Sequence, residues 1–230
     1  MDSLTTVNGC DSITQLNLTI VPPLDVNICA ADTIICLGSS TTISANINQV
    51  VPNASALQVG YYYQGGIVAY IFQPTDMGYV AGETHGIIIA EKDLSTKLTW
   101  GGTVSLNLFS TLSNSLGSGL ANTQRILFVS DSLGIPFPAA REASAYNSGC
   151  YNDWFLPSEE DLIKININAA QNGIGNFKTT PTPNQFATGY WSSSLMTNGV
   201  GAKAPFMSST GGVCGCAIFE SYWVRAGRYF

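Results

Sequence analysis

The chain has 230 residues and a net charge of −6, with 45% apolar and only 10% charged residues. This length and apolar content are sufficient for a sizeable hydrophobic core. The nine lysines and arginines form no basic stripe, which argues against nucleic acid and an anionic membrane surface as partners. No apolar run is long enough to cross a bilayer, so we expect no membrane insertion.

The beginning of the chain gives no export signal. Residues 1–5 lack the basic region and the apolar core of a signal peptide. Asn, Ser, Thr and Gly nevertheless replace charged residues throughout the chain, as is typical of loop-rich extracellular proteins. We therefore expect a secreted or cell-surface protein whose export signal and upstream domains lie outside this sequence.

Six cysteines are distributed over the chain: Cys10, Cys29, Cys36, Cys150, Cys214 and Cys216. An even number permits disulfides, although the sequence does not fix their connectivity. The spacing favours a Cys29–Cys36 pair. Cys214 and Cys216 flank a single glycine, so they form either a strained, reducible loop or two small buried thiols.

Residues 1–57 have the character of a β segment. Apolar and polar residues alternate over residues 13–20, a period that predicts a strand with one apolar face, and Pro22 and Pro23 end it. A second strand is predicted over residues 41–47.

Two short motifs in this segment carry a family resemblance: CDS at residues 10–12 before the first strand, and ICLG at residues 35–38 before the second. They resemble the ends and beginnings of immunoglobulin-like repeats in secreted adhesins of the Bacteroidota. Residues 1–57 are too few for a complete sandwich. We interpret them as a partial immunoglobulin-like module or a stalk.

Residues 58–230 mix strand and helix patterns. Strands are predicted over residues 65–72, which include two glycines, and over residues 86–90, a continuous apolar run typical of a strand buried on both faces. Residues 121–129 fit either a helix or a strand, and residues 139–146 fit a helix. The fold class expected for this second domain is α+β.

The strongest helix signal begins at Ser158. This residue can cap the first turn, with Asp161 completing a capping box three residues later. Ile163, Ile167 and Ala170 then recur at helical spacing and predict the buried face. A glycine at position 173 ends the pattern.

Five segments of the second domain match a known family in order: GGIVAY at 65–70, GLANT at 119–123, DWFLPS at 153–158, YWSSS at 190–194 and VRA at 224–226. The domain resembles the family built around the C-terminal domain of the collagen-like adhesin Lcl. That resemblance implies a C-type-lectin-like fold, which is shared with formylglycine-generating enzymes and with the variable proteins of diversity-generating retroelements.

The motif residues themselves are expected to be structural. Their large rings would fill a loop-rich core, and their hydroxyl and carboxyl groups would bind loop backbone. The residues expected in this role are Asp153, Trp154, Trp191, Ser192 and Ser193.

The resemblance places ligand contacts in the irregular C-terminal segment, as in the variable proteins. Apolar and aromatic side chains among glycines suit an adaptable interface for a protein or a glycan. The predicted ligand-binding residues are Leu195, Met196, Asn198, Lys203, Phe206, Met207, Glu220, Tyr222 and Trp223.

The sequence provides less support for an enzymatic function, and we expect no catalytic residue, metal or cofactor. His85 is the one histidine, and no nucleophile elbow accompanies it. Cys214 and Cys216 leave a formylglycine-generating type of oxidase as an alternative. Asn152 and Asp153 faintly resemble the calcium motif of lectins, but calcium requires more converging oxygens. A further alternative is a purely structural cap on a surface fibre.

Overall fold

A computed structural model describes residues 57–94, 96–103, 105–148, 150–179, 185–196 and 201–230, together with the backbone of four earlier strands. In the early part, β1 (Ser3–Thr5) pairs antiparallel with β2 (Asp11–Ile13), and β3 (Asp25–Ala30) pairs antiparallel with β4 (Ile43–Asn48). The predicted second strand corresponds to β4. Most of the first predicted strand and the proposed Cys29–Cys36 pair lie outside what the structure describes.

The central sheet of the second domain has the order β12-β7-β6-β5 and is antiparallel throughout. Its strands are β5 (Tyr62–Tyr63), β6 (Gly66–Ile71), β7 (Gly86–Ile89) and β12 (Gly227–Tyr229). The last strand of the chain therefore pairs with β7. The predictions for residues 65–72 and 86–90 are confirmed as β6 and β7.

The turn from β5 to β6 explains the two glycines of this segment. Gln64 and Gly65 both have positive φ angles, of 46° and 88°, as a tight two-residue hairpin turn requires. Gly66 then begins the strand against Ile88 and Trp154, where a Cβ would collide. A larger residue at either glycine would therefore disturb the hairpin that begins the sheet.

The central strand β7 divides the apolar core in two. Ile88 belongs to one buried cluster with Trp100, Phe137 and Trp191. Ile87 and Ile89 belong to a second cluster against the helix that follows Ser158. Alternate side chains of a strand point to opposite faces, so this strand is buried on both sides, as its sequence predicts.

Three α-helices are present in the described part of the chain: α1 (Gly119–Leu133), α2 (Pro138–Ala145) and α3 (Glu159–Asn168). Helix α1 resolves the ambiguity over residues 121–129, and it ends at Gly134, which has a left-handed φ of 65°. Helix α2 begins with proline at its first position, where the missing N–H is not needed. None of these helices is long and apolar enough to cross a membrane.

The capping box of α3 is confirmed. The Asp161 backbone N–H donates to Ser158 Oγ at 3.1 Å, and the Ser158 N–H donates to the Asp161 carboxylate at 2.9 Å. Asp161 is fully buried and also accepts hydrogen bonds from Tyr229 Oη and the Gly117 N–H. This inward carboxylate anchors the first turn to the last strand.

The predicted buried face of α3 was wrong for Ile163 and Ile167 but correct for Ala170, which is 3% exposed. Ile167 is 54% exposed, whereas Leu162, Ile165 and Ala169 are buried. The physical reason is that the buried Asp161 fixes the rotation of the first turn, so positions on its side of the helix face the core. Ile163 and Ile167 instead line a groove beside Phe206.

Two small antiparallel sheets complete the fold and carry the C-terminal segment. β8 (Leu98–Thr99) pairs with β11 (Ser221–Tyr222), and β9 (Ala202–Pro205) pairs with β10 (Val213–Cys216). The described part of residues 58–230 is therefore mixed α and β with antiparallel sheets. Ten residues of the segment expected to be irregular are strand.

Candidate ligand-binding cleft

Trp154 and Trp191 lie in the core and donate to backbone carbonyls. Trp154 Nε1 donates to the Tyr151 carbonyl at 2.9 Å, and Trp191 Nε1 donates to the Leu98 carbonyl of β8 at 2.7 Å. Both rings are almost fully buried. The bonds therefore tie Trp154 to a loop and Trp191 to a strand.

The serines that follow Trp191 are equally buried. Ser192 Oγ donates to the Lys203 carbonyl at 2.7 Å, and Ser193 Oγ accepts from Asn122 Nδ2 at 3.2 Å. This part of the chain is thereby held against both β9 and α1. A structural role for these side chains agrees with this placement.

Asp153 is placed differently from the expectation for the motif. Its side chain is 55% exposed and forms an ion pair with Arg228, whose guanidinium also donates to Gln64 Oε1 at 2.7 Å. It therefore contacts a side chain of the last strand rather than loop backbone.

Arg225 is a buried organising residue that the sequence analysis did not single out. Its side chain is 0% exposed, and its Nη2 lies 2.7 Å from an Asp93 carboxylate oxygen. Nη1 donates to the carbonyls of Ala90 and Gly175 at 2.9 and 2.6 Å. The guanidinium also stacks 4.2 Å from the Phe177 ring centroid. The VRA motif at residues 224–226 was the one sequence signal for this residue, but the motif does not indicate that its arginine is buried.

Four predicted ligand-binding residues are buried in the structure: Leu195, Phe206, Met207 and Tyr222. The expectation that they form an exposed surface is therefore not met. The reason is long-range packing, because Leu195 and Tyr222 join the apolar cluster that contains Trp191, and Phe206 packs edge to face on Phe186. Met207, for example, is 0% exposed and lies in the cluster against α3.

Two further predicted residues are partly covered. Lys203 forms an ion pair with Glu159 at the start of α3, and both side chains are about seven-eighths buried. Met196 packs on Gly215, where its sulfur would lie 2.5 Å from an added Cβ. A larger residue at position 215 would therefore have to displace the flexible Met196 side chain. Asn198 lies outside the described residues.

The remaining predicted residues, Glu220 and Trp223, are accessible. Glu220 is exposed, and Trp223 is half-buried between two lysines. The Lys97 and Lys178 ammonium groups lie 5.7 and 5.3 Å from its ring centroid, which is cation–π range. Trp223 Nε1 donates to the Ala187 carbonyl at 3.0 Å, so the ring is held in place.

An open cleft of about 770 Å³ lies in this region and is defined here as the C-terminal cleft. It is formed where β8, β10, β11 and the 3₁₀ helix Gln185–Thr188 meet. Its lining residues are Lys97, Phe186, Ala187, Cys214, Gly215, Cys216, Ala217, Glu220, Ser221 and Tyr222.

The rim of the C-terminal cleft is aromatic and charged. Phe186 lines the cleft and is 44% exposed, and the charged residues Lys97 and Glu220 line it too. Phe219 is the chain neighbour of Glu220 and is 73% exposed. Sequence reasoning missed Phe186, Phe219 and Lys97, because only the tertiary fold brings residues near 97 and 186 to the C-terminal strands. The one available signal in the sequence was Phe219, which directly precedes the predicted residue Glu220.

Polar chemistry in the cleft centres on Tyr222. Its hydroxyl donates to the Glu220 carboxylate at 3.0 Å and lies 3.0 Å from Cys216 Sγ. Burial, together with the Glu220 carboxylate, raises the pKa of Tyr222 to about 12. The hydroxyl therefore stays protonated at neutral pH and can donate a hydrogen bond.

Within the described residues, the candidate metal-ligating and catalytic groups make other contacts. Cys214, Cys216 and Glu220 are close enough together to hold an ion, but the two sulfurs form a disulfide and are not available as thiolates. The Asp76 carboxylate accepts hydrogen bonds from Tyr70 Oη and Lys164 Nζ. His85 contacts the Phe230 carbonyl and Glu83, with no nucleophile among these partners.

Comparison with known proteins gives one informative similarity. No protein-family model matches the chain, and no curated protein matches it. A solved fimbrial protein from Bacteroides ovatus ATCC 8483 is similar in fold, with a TM-score of 0.50 and 16% sequence identity. The match covers 74% of this chain and 48% of the fimbrial protein, so the chain spans about half the length of that protein. At this identity the similarity shows a shared fold.

Proposed function

We propose that this chain is an extracellular adhesion module, rather than an enzyme, and that it binds a protein or glycan ligand through the C-terminal cleft. The carrying observation is the open cleft of about 770 Å³, which is lined by the exposed Phe186 and by Lys97 and Glu220, with the exposed Phe219 next to Glu220 in the chain. Aromatic groups beside charged ones are the usual composition of a binding hot spot. Large exposed apolar side chains near a cleft are also a known mark of interaction sites.

The scaffold around the cleft supports this proposal. Trp191 and Tyr222 pack edge to face at 4.8 Å between centroids, and Trp223 is held by its indole bond and two lysines. A rim on such a rigid frame would lose little conformational entropy on binding. The ligand would contact Phe186, Phe219 and Glu220, with Lys97 as the cationic partner.

The family resemblance supports a more specific proposal for the fold. We assign the second domain to the C-type-lectin-like class on the five motif segments, and the burial of Trp154 and Trp191 is consistent with their structural role. The similarity to a fimbrial protein is consistent with a location at the cell surface. If the domain is a retroelement variable protein, diversified positions should fall on exposed rim residues rather than on buried Phe206 or Met207.

The test is a binding screen on glycan arrays and on immobilised extracellular-matrix proteins, followed by affinity measurement with the best ligand found. We expect Phe219→Ala to weaken binding about tenfold or more with an unchanged melting temperature. Phe128→Ala is the matched control, because Phe128 is 62% exposed but lies on α1. Equal losses in both variants would contradict the assignment of the cleft.

A fibre-cap role is the second candidate, and the fimbrial similarity is the observation that favours it. Such a cap would need no soluble ligand. A folded, stable chain that binds nothing on either array, but that co-assembles with fibre subunits, would support the cap and contradict ligand binding by the cleft.

A further inference from the structure

The wall of the C-terminal cleft contains a disulfide between Cys214 and Cys216. Both residues lie on β10 two positions apart, so their side chains project from the same face of the strand. Their Cα atoms are 5.2 Å apart, within the range of disulfide-bonded residues. Cys214 is partly exposed at the cleft, whereas Cys216 is 2% exposed.

This disulfide closes a loop with only one residue between its cysteines. Loops this short remove little conformational entropy from the unfolded chain, so the cross-link adds little to stability. The strand is held independently, because Cys214 pairs with Ala204 and Cys216 with Ala202 in the β9–β10 ladder. The sulfur–sulfur bond can therefore be opened without unfolding the surrounding strands.

The hydrogen bonds around the two sulfurs distinguish one from the other. Tyr222 Oη lies 3.0 Å from the buried Cys216 Sγ and 3.9 Å from Cys214 Sγ. The tyrosine hydroxyl donates to Glu220 in the disulfide form. After cleavage it can turn from Glu220 and donate to a Cys216 thiolate, which is an ionised acceptor of the stronger kind. The accessible sulfur is thus suited to be attacked and the buried one to leave.

We propose that the Cys214–Cys216 disulfide is a thiol–disulfide exchange site for a low-molecular-weight thiol that enters the C-terminal cleft. The thiolate of the small thiol attacks Cys214 Sγ and forms a new sulfur–sulfur bond, while the Cys214–Cys216 bond breaks. Its electron pair passes to Cys216 Sγ, which becomes a thiolate. One disulfide and one thiolate are present before and after the step, so it needs no external oxidant.

The cleft suits such a partner in size and charge. Its volume of about 770 Å³ lies within the usual range for small-molecule sites. Lys97 lines the same cleft and can pair with the carboxylate that a peptide thiol carries. Reduced glutathione, a small thiol with two carboxylates, is therefore a suitable probe.

The first test uses the full chain without reductant, incubated with reduced glutathione, quenched in acid and mapped by peptide mass spectrometry. We expect glutathione on Cys214 and a free thiol on Cys216. Cys150, which is also disulfide-bonded, should remain oxidised under the same conditions. Adduct on Cys216 instead of Cys214, no adduct at all, or free thiols at both positions before treatment would overturn the proposal.

Two matched variants test the asymmetry directly. Cys216→Ser leaves only the accessible thiol, and Cys214→Ser leaves only the buried one. With oxidised glutathione, we expect the first to form its mixed disulfide about tenfold or more faster, because reaction requires access to the thiolate. Equal rates of mixed-disulfide formation in two variants with equal melting temperatures would contradict the assignment of Cys214 as the accessible sulfur.

The role of the tyrosine is tested by Tyr222→Phe, which should slow exchange by about tenfold through loss of a charge-assisted hydrogen bond. If this variant does not fold, the distribution of adduct between the two cysteines of the unmodified chain still decides the proposal. Ligand binding is measured separately with the Phe219→Ala pair. Failure of exchange and failure of the adhesion proposal are therefore distinguishable.

Discussion

Replacing Arg225 with methionine tests whether a buried charge holds the C-terminal strands to the rest of the domain. The change preserves much of the apolar stem but removes the partner of Asp93, whose side chain is only 10% exposed. It also removes the donors to the carbonyls of Ala90 and Gly175. Two separate parts of the chain, residues 90–93 and Gly175, therefore lose contact with the segment that precedes β12.

The magnitude follows from these lost contacts. Removing one partner of a buried ion pair destabilises a protein by about 3–5 kcal/mol, because the other charge stays buried and unpaired. An open cleft of about 490 Å³ is lined by Asp93, so water can reach this carboxylate in the variant. We therefore expect Arg225→Met to lower the free energy of unfolding by about 3 kcal/mol, near the lower end of that range.

Urea unfolding followed by tryptophan fluorescence measures this loss, and thermal unfolding should show a fall of about 6–12 °C for a chain of this size. Arg141→Met is the matched control, since the Arg141–Asp131 pair is at least half exposed and should change stability by about 1 kcal/mol or less. A loss below about 1 kcal/mol for Arg225→Met, or equal losses in both variants, would refute the organising role of Arg225.

Three further predictions concern α3, its partner strand and the one histidine. Ser158→Ala should lower the free energy of unfolding by about 1 kcal/mol or somewhat more, because the capping box is lost. Urea unfolding measures this loss, and Ser132→Ala, at an exposed serine, should leave the stability unchanged. Equal stabilities of the two variants would contradict the cap. Lys203→Met should destabilise the chain by about 1.5–3 kcal/mol by breaking the covered pair with Glu159, while leaving ligand affinity unchanged; reduced affinity in a chain of normal stability would instead make Lys203 a contact residue. Hydrogen bonds to Glu83 and then to the Phe230 carbonyl raise the pKa of His85 above 6.5, so its contribution to stability is present below that pH and is lost as the pH rises through the folded value. Glu83→Gln should lower the pKa of His85 in an NMR titration, and an unchanged titration curve would exclude that ion pair.

Local signals in the sequence predicted several elements correctly. Ser158 and Asp161 predicted the start of α3 because a capping box involves only residues three positions apart. The apolar run at 86–90 predicted a strand buried on both faces, and β7 is one. These features depend on neighbouring residues, so the sequence contains the information needed to infer them.

The candidate site could be predicted only in part. Placing ligand contacts near the C-terminus led to Glu220 and Trp223, but the same reasoning included Phe206 and Met207, which are buried. Glycine-rich composition suggested an irregular surface, whereas the segment pairs as strands. Whether a side chain in a strand faces the core depends on its pairing partner, and that partner lies elsewhere in the chain.

The sequence by itself determined where α3, β6 and β7 form, since capping, turn geometry and apolar periodicity act over a few residues. Tertiary structure alone decided which C-terminal side chains reach the surface, because strand register and the rotation of α3 follow from long-range packing. It also decided that Arg225 is buried against Asp93 and that Lys97 and Phe186 join the C-terminal cleft. Such contacts join residues far apart in the chain, and no local pattern encodes them.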